Sequence, residues 1–433
     1  MINTLKHLKK LSKVKSNAGI KFLSDAVSPG NHCPMRIASV IANDVEGLSS
    51  LLIGMPECTT HSRLFSPHPE GKQGELHWLY VLDANEVVFG CHKGLVEALK
   101  EMDRAGAKHI LMIATCIPEL IGEDLEGVIH EVQPQIKAKL THVMLGQFKN
   151  VSYPPGSWKT MESFYRFMEK QSSKSQWINV LGRGPEEDHQ PMPSLLTKLE
   201  AAGIKIRYLA PKSKIQDFEA ATDARLNIVV SPYMEPLAQR MALEYGIPYE
   251  DLHNIYETSA IEESYQRIFE GLAIKWDGWH QAEKEKAQIQ EEKIKSKCRH
   301  LTFAMGLRVD LPLALSYYLM QLGMEPLLIH LEEYYPQDSY MAQQIGDAGS
   351  DPYICRMVNE EVDLKIIEAL APDICFGYIG RKASLLNNIG DLYDFYGLVG
   401  YERTLGLLQH IEKHLDQFVF KEKGEQENGT ISI

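Results

Sequence analysis

Four of the seven cysteines fall within the first 116 residues, at Cys33, Cys58, Cys91 and Cys116; the others are Cys298, Cys355 and Cys375. Thiols could bridge one another, do redox chemistry or hold a soft metal. An odd count in a long chain is not a disulfide framework. No pair is spaced as CxxC, so zinc-ribbon logic does not apply. The setting of the early group is more informative. Cys116 stands in IATCIPELIGED (113–124), where an apolar run stops and an acid-bearing helical pattern starts. Cys58 follows the run LSSLLIG through the turn MPE, and Cys33 lies in SPGNHCPM between Gly30 and Pro34. Cys91 follows VVFG and precedes His92 and Gly94. Nearby glycine lets backbone N–H groups approach an anion closely, and a helix start favours a thiolate. Thiolates held this way suit iron–sulfur clusters, whose potential depends on N–H···S bonds and burial. Free cysteine is also among the most buried residue types. From the residues alone, core packing and metal ligation stand side by side.

The elements that must position these thiols read as α/β. LSSLLIG (48–54), HWLYVLD (77–83), KHILMIAT (108–115) and THVMLGQF are strand-like, the third a continuous apolar run suited to a parallel sheet covered on both faces. GLVEALKEMDRAG (94–106) and PELIGEDLEGVIHEVQ (118–133) have helical period. The scheme repeats with strands WINVLG, IKIRYLA and LNIVVSP and helices PSLLTKLEAAG and MEPLAQRMALEYG. It repeats again with LTFAMG, PLLIHL and PDICFGYIG as strands and LPLALSYYLMQLG and YERTLGLLQHIEKHLDQF as helices. The fold class predicted is α/β with three Rossmann-like domains, each a mostly parallel sheet flanked by helices. The domains expected are an N-terminal α/β unit over 1–172, a second unit over 173–279 and a third over 298–420. A charged, solvated helical connector is expected at 280–297 and a flexible tail at 421–433.

The net charge of −13 offers no basic face to release phosphate counterions, which argues against nucleic acid as a partner. The one basic cluster (Lys6, Lys9, Lys10, Lys13, Lys15) is not followed by an apolar region, so it reads as a solvated helix face and not a secretory signal. No run of eighteen apolar residues occurs, so no membrane span and a cytoplasmic location are expected.

HCP at 32–34, GMPEC at 54–58, FG at 89–90 and TCIPELIGEDLEGVI at 115–129 together resemble the nitrogenase component 1-type oxidoreductases. LNIVVSPYMEPLAQRMALEYGIPY (226–249) and LAPDICFGYIGRK (370–382) extend the resemblance over nearly the whole chain. The resemblance implies three Rossmann-like domains. It implies that Cys33, Cys58 and Cys116 hold an iron–sulfur cluster, P-cluster-like or [4Fe–4S], at a subunit interface. The companion would be a homologous α-type subunit or a second copy of the chain. Cys91 sits where relatives often have glycine; it is a possible extra ligand, with core packing the preferred reading. Separations of 25 and 58 residues between the three cysteines are similar to a β-type subunit. Ser231 and Val399 stand where the family's active-site cofactor takes a cysteine and a histidine, so an α-type catalytic role is not expected. No GxxxxGK[ST] motif occurs, and ATP would be used by a separate iron–sulfur reductase.

Three functions follow from the resemblance. The first is a β-type electron-transfer subunit of a nitrogenase-like reductase, such as a methylthio-alkane reductase. The second is a tetrapyrrole reductase of the nickel-sirohydrochlorin or protochlorophyllide type, homodimeric or not. The third is a scaffold for cluster or cofactor assembly. Among the remaining polar candidates, His32 and Glu57 precede cluster cysteines and read first as solvated loop side chains. Glu119 and Asp124 suit helix first turns by charge. Arg381 and Lys382 follow a third-domain strand, where they could meet an anion or simply face solvent. GRGPEEDH (182–189) lacks the spacing of a nucleotide loop. Cys298, Cys355 and Cys375 read as structural.

Overall fold

Continuous apolar runs alternating with amphipathic ones leave the strands little choice but a parallel sheet under helices. A computed structural model of the chain describes residues 5, 8–16, 33–58, 74–146, 154–171, 173–184, 187, 189–309, 311–332, 334, 338–356, 360–380, 386–390 and 392–418. His32, Arg381, Lys382, the tail 421–433 and part of the GRGPEEDH loop lie outside the described residues. After β1 (Lys9–Lys10), the strands β2 (Ser49–Gly54), β3 (His77–Val81), β4 (His109–Ala114) and β5 (Lys139–Met144) form a parallel sheet in the order β3-β2-β4-β5. Every residue of β2 and β4 is buried, as two covered faces require. β6 (Trp177–Leu181), β7 (Lys205–Leu209), β8 (Asn227–Val229) and β9 (Tyr249–Asp251) repeat the pattern in the order β7-β6-β8-β9. β10 (Thr302–Met305), β11 (Glu325–His330), β12 (Tyr353–Cys355), β13 (Ile374–Phe376) and β14 (Asn388–Ile389) make the third sheet, with β1 as its antiparallel edge. The α/β class and the mostly parallel sheets are those the sequence predicts.

In the first two sheets the first strand lies between its two successors, and in the third β10 lies between β11 and β13, so the winding reverses beside β2, β6 and β10. Such a reversal opens a crevice at the carboxyl ends of the two central strands. A glycine ends or follows that strand each time: Gly54, Gly182 and Gly306. A Cβ on any of them would come within 3.0 Å of the chain leaving the neighbouring strand, at Thr115 Oγ1, Ser231 Oγ and Tyr378 O respectively. These three close approaches set the walls of the three crevices.

Several expectations are revised. Lys9 and Lys10 lie on a strand and not on a solvated helix face. They pair with Ile354 and Tyr353, and Leu11 and Val14 enter the core of the third sheet. The helix expected over 118–133 is two helices, Cys116–Ile121 and Leu125–Val132. Gly122 closes the first in the left-handed conformation (φ 78°) and Asp124 caps the second by accepting from the Gly127 N–H at 2.9 Å. The charged connector is a helix, Gln281–Cys298, but it buries Ala287, Ile294 and Cys298. Lys293 and Lys297 pair with Glu412 on the closing helix Gly400–Leu415. The first and middle sheets share one core, in which Phe164, Phe167 and Phe218 lie with Met35 and Leu237.

Candidate functional site

The crevice of the first sheet gathers three of the four early cysteines. Cys58 ends the turn after β2, its N–H donating to Met55 O at 3.0 Å. Cys116 is the first residue of the helix after β4, and its N-cap Thr115 donates its backbone N–H to Ile53 O at 3.0 Å. The Cys58 thiol donates to Thr115 Oγ1 at 3.6 Å, which ties the two strand ends together. Cys33 is the N-cap of the helix Pro34–Asp44, with Pro34 at the first helical position, where its missing N–H costs nothing. All three cysteines are half-buried. Burial pushes the Cys33 thiol up. The backbone N–H groups of Met35 and Arg36 favour its thiolate, and charge on neighbouring Cys116 and Cys58 opposes it. The three sulfurs are therefore electrostatic neighbours with helix N–H donors on one of them.

Other residues at this edge are spent on structure. Glu119 accepts from the Gly146 N–H and holds the loop after β5, and Glu57 is exposed. Cys91 is only 1% exposed and caps the helix His92–Arg104 in a different core from the one against which Cys33 and Cys58 pack. Its N–H donates to Glu123 Oε2 at 2.8 Å; burial, then the Glu123 charge, raises its thiol. Cys298 and Cys375 are buried, and burial pushes each thiol up to about 12; Cys355 is buried and raised likewise.

Beside Cys116 lies an exposed apolar patch. The short helix Ala84–Phe89 packs on Cys116–Ile121; Val88 and Phe89 of the first and Leu120 of the second are exposed, Phe89 at 83%. Sequence reading passed over this surface because VVF resembles any apolar run. The signal available was the capping box around it: Asp83 accepts from Asn85 and Glu86 N–H groups, and Glu86 accepts in return from Asp83 N–H.

The middle sheet's crevice is built differently. Ser231 is fully buried and donates to Glu187 Oε1 at 2.6 Å, while Gly184 N–H donates to Glu187 Oε2 at 2.6 Å. Burial raises the Glu187 carboxyl, against the hydrogen bonds from Ser231 and Gly184. Val399 is buried among Tyr265 and Tyr401. Neither Ser231 nor Val399 offers a free ligand atom. A cavity between the middle and third sheets is lined by apolar residues such as Val230, Leu311 and Phe395, with His253 and Arg403 among its polar members. The Arg403 guanidinium donates to the carbonyls of Leu252, His253 and Ile255 and stacks 4.0 Å from the Tyr256 ring. Near it, His253 meets Glu235 and Asp251, a group that sequence reading missed; the D-x-H spacing at the end of β9 was its one local trace.

The donor set of the first crevice fits an iron–sulfur cluster in chemical terms. It offers three soft thiols, N–H donors at one sulfur, and a glycine wall where a side chain would intrude.

Three mostly parallel sheets, each with a crevice at its winding reversal and cysteines gathered at the first, define an α/β protein with crevices at strand ends. A model of the family described as nitrogenase component 1 type oxidoreductase matches residues 33–416, and the chain belongs to that family. Membership supports a cofactor of the iron–sulfur type. The structure titled nitrogenase Cp1 at pH 6.5 aligns with a TM-score of 0.70 at 16% identity, over 96% of this chain and 98% of that one. A second, titled nitrogenase Cp1 at pH 5, gives 0.56 at 17% identity over 93% and 91%. These likenesses concern the fold. The nitrogenase iron-molybdenum cofactor biosynthesis protein NifE of Nostoc sp. (strain PCC 7120) is 26% identical over 174 residues, 39% of this chain and 36% of that protein. NifE of Rippkaea orientalis is 24% identical over 202 residues, 45% and 43% of the two chains. The match thus spans less than half the length of these curated relatives. No helix among the described residues is long and apolar enough to cross a membrane.

Proposed function

We propose that the chain is the β-type subunit of a nitrogenase-like reductase, in which Cys33, Cys58 and Cys116 hold one side of an iron–sulfur cluster at a subunit interface. The observation that carries this reading is the grouping of three half-buried cysteines at the first sheet's crevice. Three thiolates fall short of the four that such clusters usually take. A companion chain, a homologous α-type subunit or a second copy, supplies the rest. Held there, such a cluster would supply single-electron storage and transfer. This chain's residues fix its surroundings: Met35 and Arg36 N–H groups stabilise negative charge at Cys33, and Gly54 leaves room beside Cys58. The exposed Val88, Phe89 and Leu120 beside Cys116 form the docking surface for an ATP-dependent iron–sulfur reductase. The buried Ser231–Glu187 pair and the packed Val399 support placing substrate reduction outside this chain.

A second reading has its own support. The curated relatives are cofactor biosynthesis proteins, so a cluster or cofactor assembly scaffold is consistent with the same cysteines. Anaerobic purification with iron and sulfide counted per chain, for wild type, Cys58→Ala and Cys116→Ala, tests the ligand assignment. Wild type without iron, or both variants with unchanged iron, refutes it. Turnover with a reductase and ATP supports the relay; cluster transfer to an apo-acceptor without turnover supports the scaffold.

A further inference from the structure

A second set of donor atoms lies far from the thiols in chemical character. Asp251 ends β9, His253 follows two residues later, and Glu235 opens the helix Glu235–Tyr245 after β8, so all three gather at the carboxyl edge of the middle sheet. His253 is 2% exposed, and the three residues offer one ligand atom each within 4.8 Å of one another. The imidazole is placed between the carboxylates. Its Nε2 lies 3.6 Å from Glu235 Oε2, and its Nδ1 lies against Asp251 Oδ1 without the alignment of a hydrogen bond. The other carboxylate oxygens are held from behind. Gln239 Nε2 donates to Glu235 Oε1 at 2.9 Å, and Asn254 Nδ2 donates to Asp251 Oδ2 at 2.7 Å. The His253 N–H donates to Asp251 Oδ1 at 3.1 Å. Outer hydrogen bonds that aim one carboxylate oxygen inward are the usual support of a metal site.

Charge points the same way. Among the described residues no lysine or arginine pairs with Glu235 or Asp251; their only ionic partner is His253. The nearest guanidinium, that of Arg403, is spent on three backbone carbonyls. Two carboxylates, that of Glu235 buried and that of Asp251 partly buried, face one imidazole, and a cation joining them would offset the cost of burying negative charge. Two ligands on opposite sides of one ion, each about 2.1 Å from it, lie about 4.2 Å apart. The three donor atoms all lie within 4.8 Å of one another, close to that span. Carboxylate and imidazole together favour Mn²⁺, Fe²⁺ or Zn²⁺ over soft, thiolate-seeking ions.

We propose that Glu235, Asp251 and His253 form a divalent-cation site at the edge of the cavity between the middle and third sheets. It is independent of the cysteines, and His253 lines that cavity, so the bound ion faces whatever enters it.

Mn²⁺ is the probe, because thiolates bind it poorly. The full-length chain, freed of metal by chelator, is titrated with Mn²⁺ while the free-ion electron paramagnetic resonance signal is followed. One saturable Mn²⁺ per chain is expected. His253→Gln and Asp251→Asn weaken it at least about tenfold, Gln239→Ala weakens it less, and Cys58→Ala leaves it unchanged. In wild type, electron spin-echo modulation of the bound Mn²⁺ shows imidazole ¹⁴N. Absence of saturable binding in wild type overturns the proposal, as does binding unchanged in both ligand variants. Bound Mn²⁺ without ¹⁴N modulation overturns it too, even if the variants fail to fold. A proton shared among the three groups predicts a changed pH profile of stability with no Mn²⁺ binding, and that result counts against the site.

Discussion

Gly54→Ala adds one methyl group at the point where β2, Cys58 and the start of the Cys116 helix converge. The new Cβ would lie nearer than 3.0 Å to Thr115 Oγ1 and 3.1 Å from both Thr115 Cγ2 and Cys58 Sγ. Thr115 cannot turn away, because both branches of its side chain already face Gly54 and its χ1 is stiff. Its backbone cannot yield either, since its N–H bonds Ile53 O inside a buried sheet. Overpacking of this kind costs about 1–3 kcal/mol. Native-state hydrogen exchange reads that cost locally, at the Thr115 N–H and at the Leu82 N–H that bonds Gly54 O. Their exchange should accelerate by about fivefold to about 150-fold. Thr115→Ala removes two of the three contacts, so the double variant should recover most of the loss, a coupling of about 1 kcal/mol or more. Anaerobic iron content should fall in Gly54→Ala and return in the double variant. If the two substitutions simply add, within about 0.5 kcal/mol, the close approach is not what Gly54 is for and the reasoning fails.

His330 is fully buried, and burial, then the Arg356 charge, depresses its pKa from 6.5 to about 3. The unfolded chain therefore takes up a proton below pH 6.5 that the folded chain refuses until about 3, and stability present above pH 6.5 is lost as pH falls across that window. His330→Gln should flatten the change in urea midpoint between pH 7 and pH 5; equal slopes in the two proteins would refute this. Arg403→Met strips donors from three carbonyls at the join of the closing helix and the loop after β9, and should cost at least about 3 kcal/mol in urea unfolding. Phe89→Asp should leave iron content and folding unchanged, because the side chain is already in solvent, yet slow ATP-driven reduction by the reductase in stopped flow.

The strands were legible because burial on both faces writes itself as an unbroken apolar run, and HILMIA and SSLLIG are buried at every residue. What escaped was decided by contacts remote in sequence or by caps. Lys9 and Lys10 carry no local sign that their partners are Tyr353 and Ile354; two lysines on a two-residue strand are what a protected sheet edge looks like from inside the sequence. PELIGEDLEGVIHEVQ keeps helical period across Gly122, and only the αL turn and the Asp124 cap break it. In the connector, Ala287, Ile294 and Cys298 form an apolar stripe too narrow to outweigh the charges around it. The cysteines show both limits at once. Their strand-end positions could be read directly, but that Cys58 and Cys116 leave adjacent strands at a winding reversal depends on the order β3-β2-β4-β5, which no local pattern encodes.

On the two proposals made above, one topology would serve two kinds of chemistry in this chain. The crevice of the first sheet and that of the middle sheet are related by the same glycine and the same reversal, so backbone geometry alone does not distinguish them. Side chains do. At the first, Thr115 leaves its hydroxyl to Cys58, and the sulfurs stay half-exposed. At the second, Ser231 gives its hydroxyl to Glu187, which closes the position from within. One strand outward, Asp251 and His253 at the end of β9 meet Glu235 from the helix after β8, and oxygen and nitrogen donors replace sulfur. A chain with soft donors at one crevice and hard donors beside another should discriminate between metals by site. Thiol substitutions should therefore change iron and sulfide content without changing Mn²⁺ binding, and substitutions at His253 or Asp251 should do the reverse. Cross-talk in either direction would mean that the two crevices are not chemically separate.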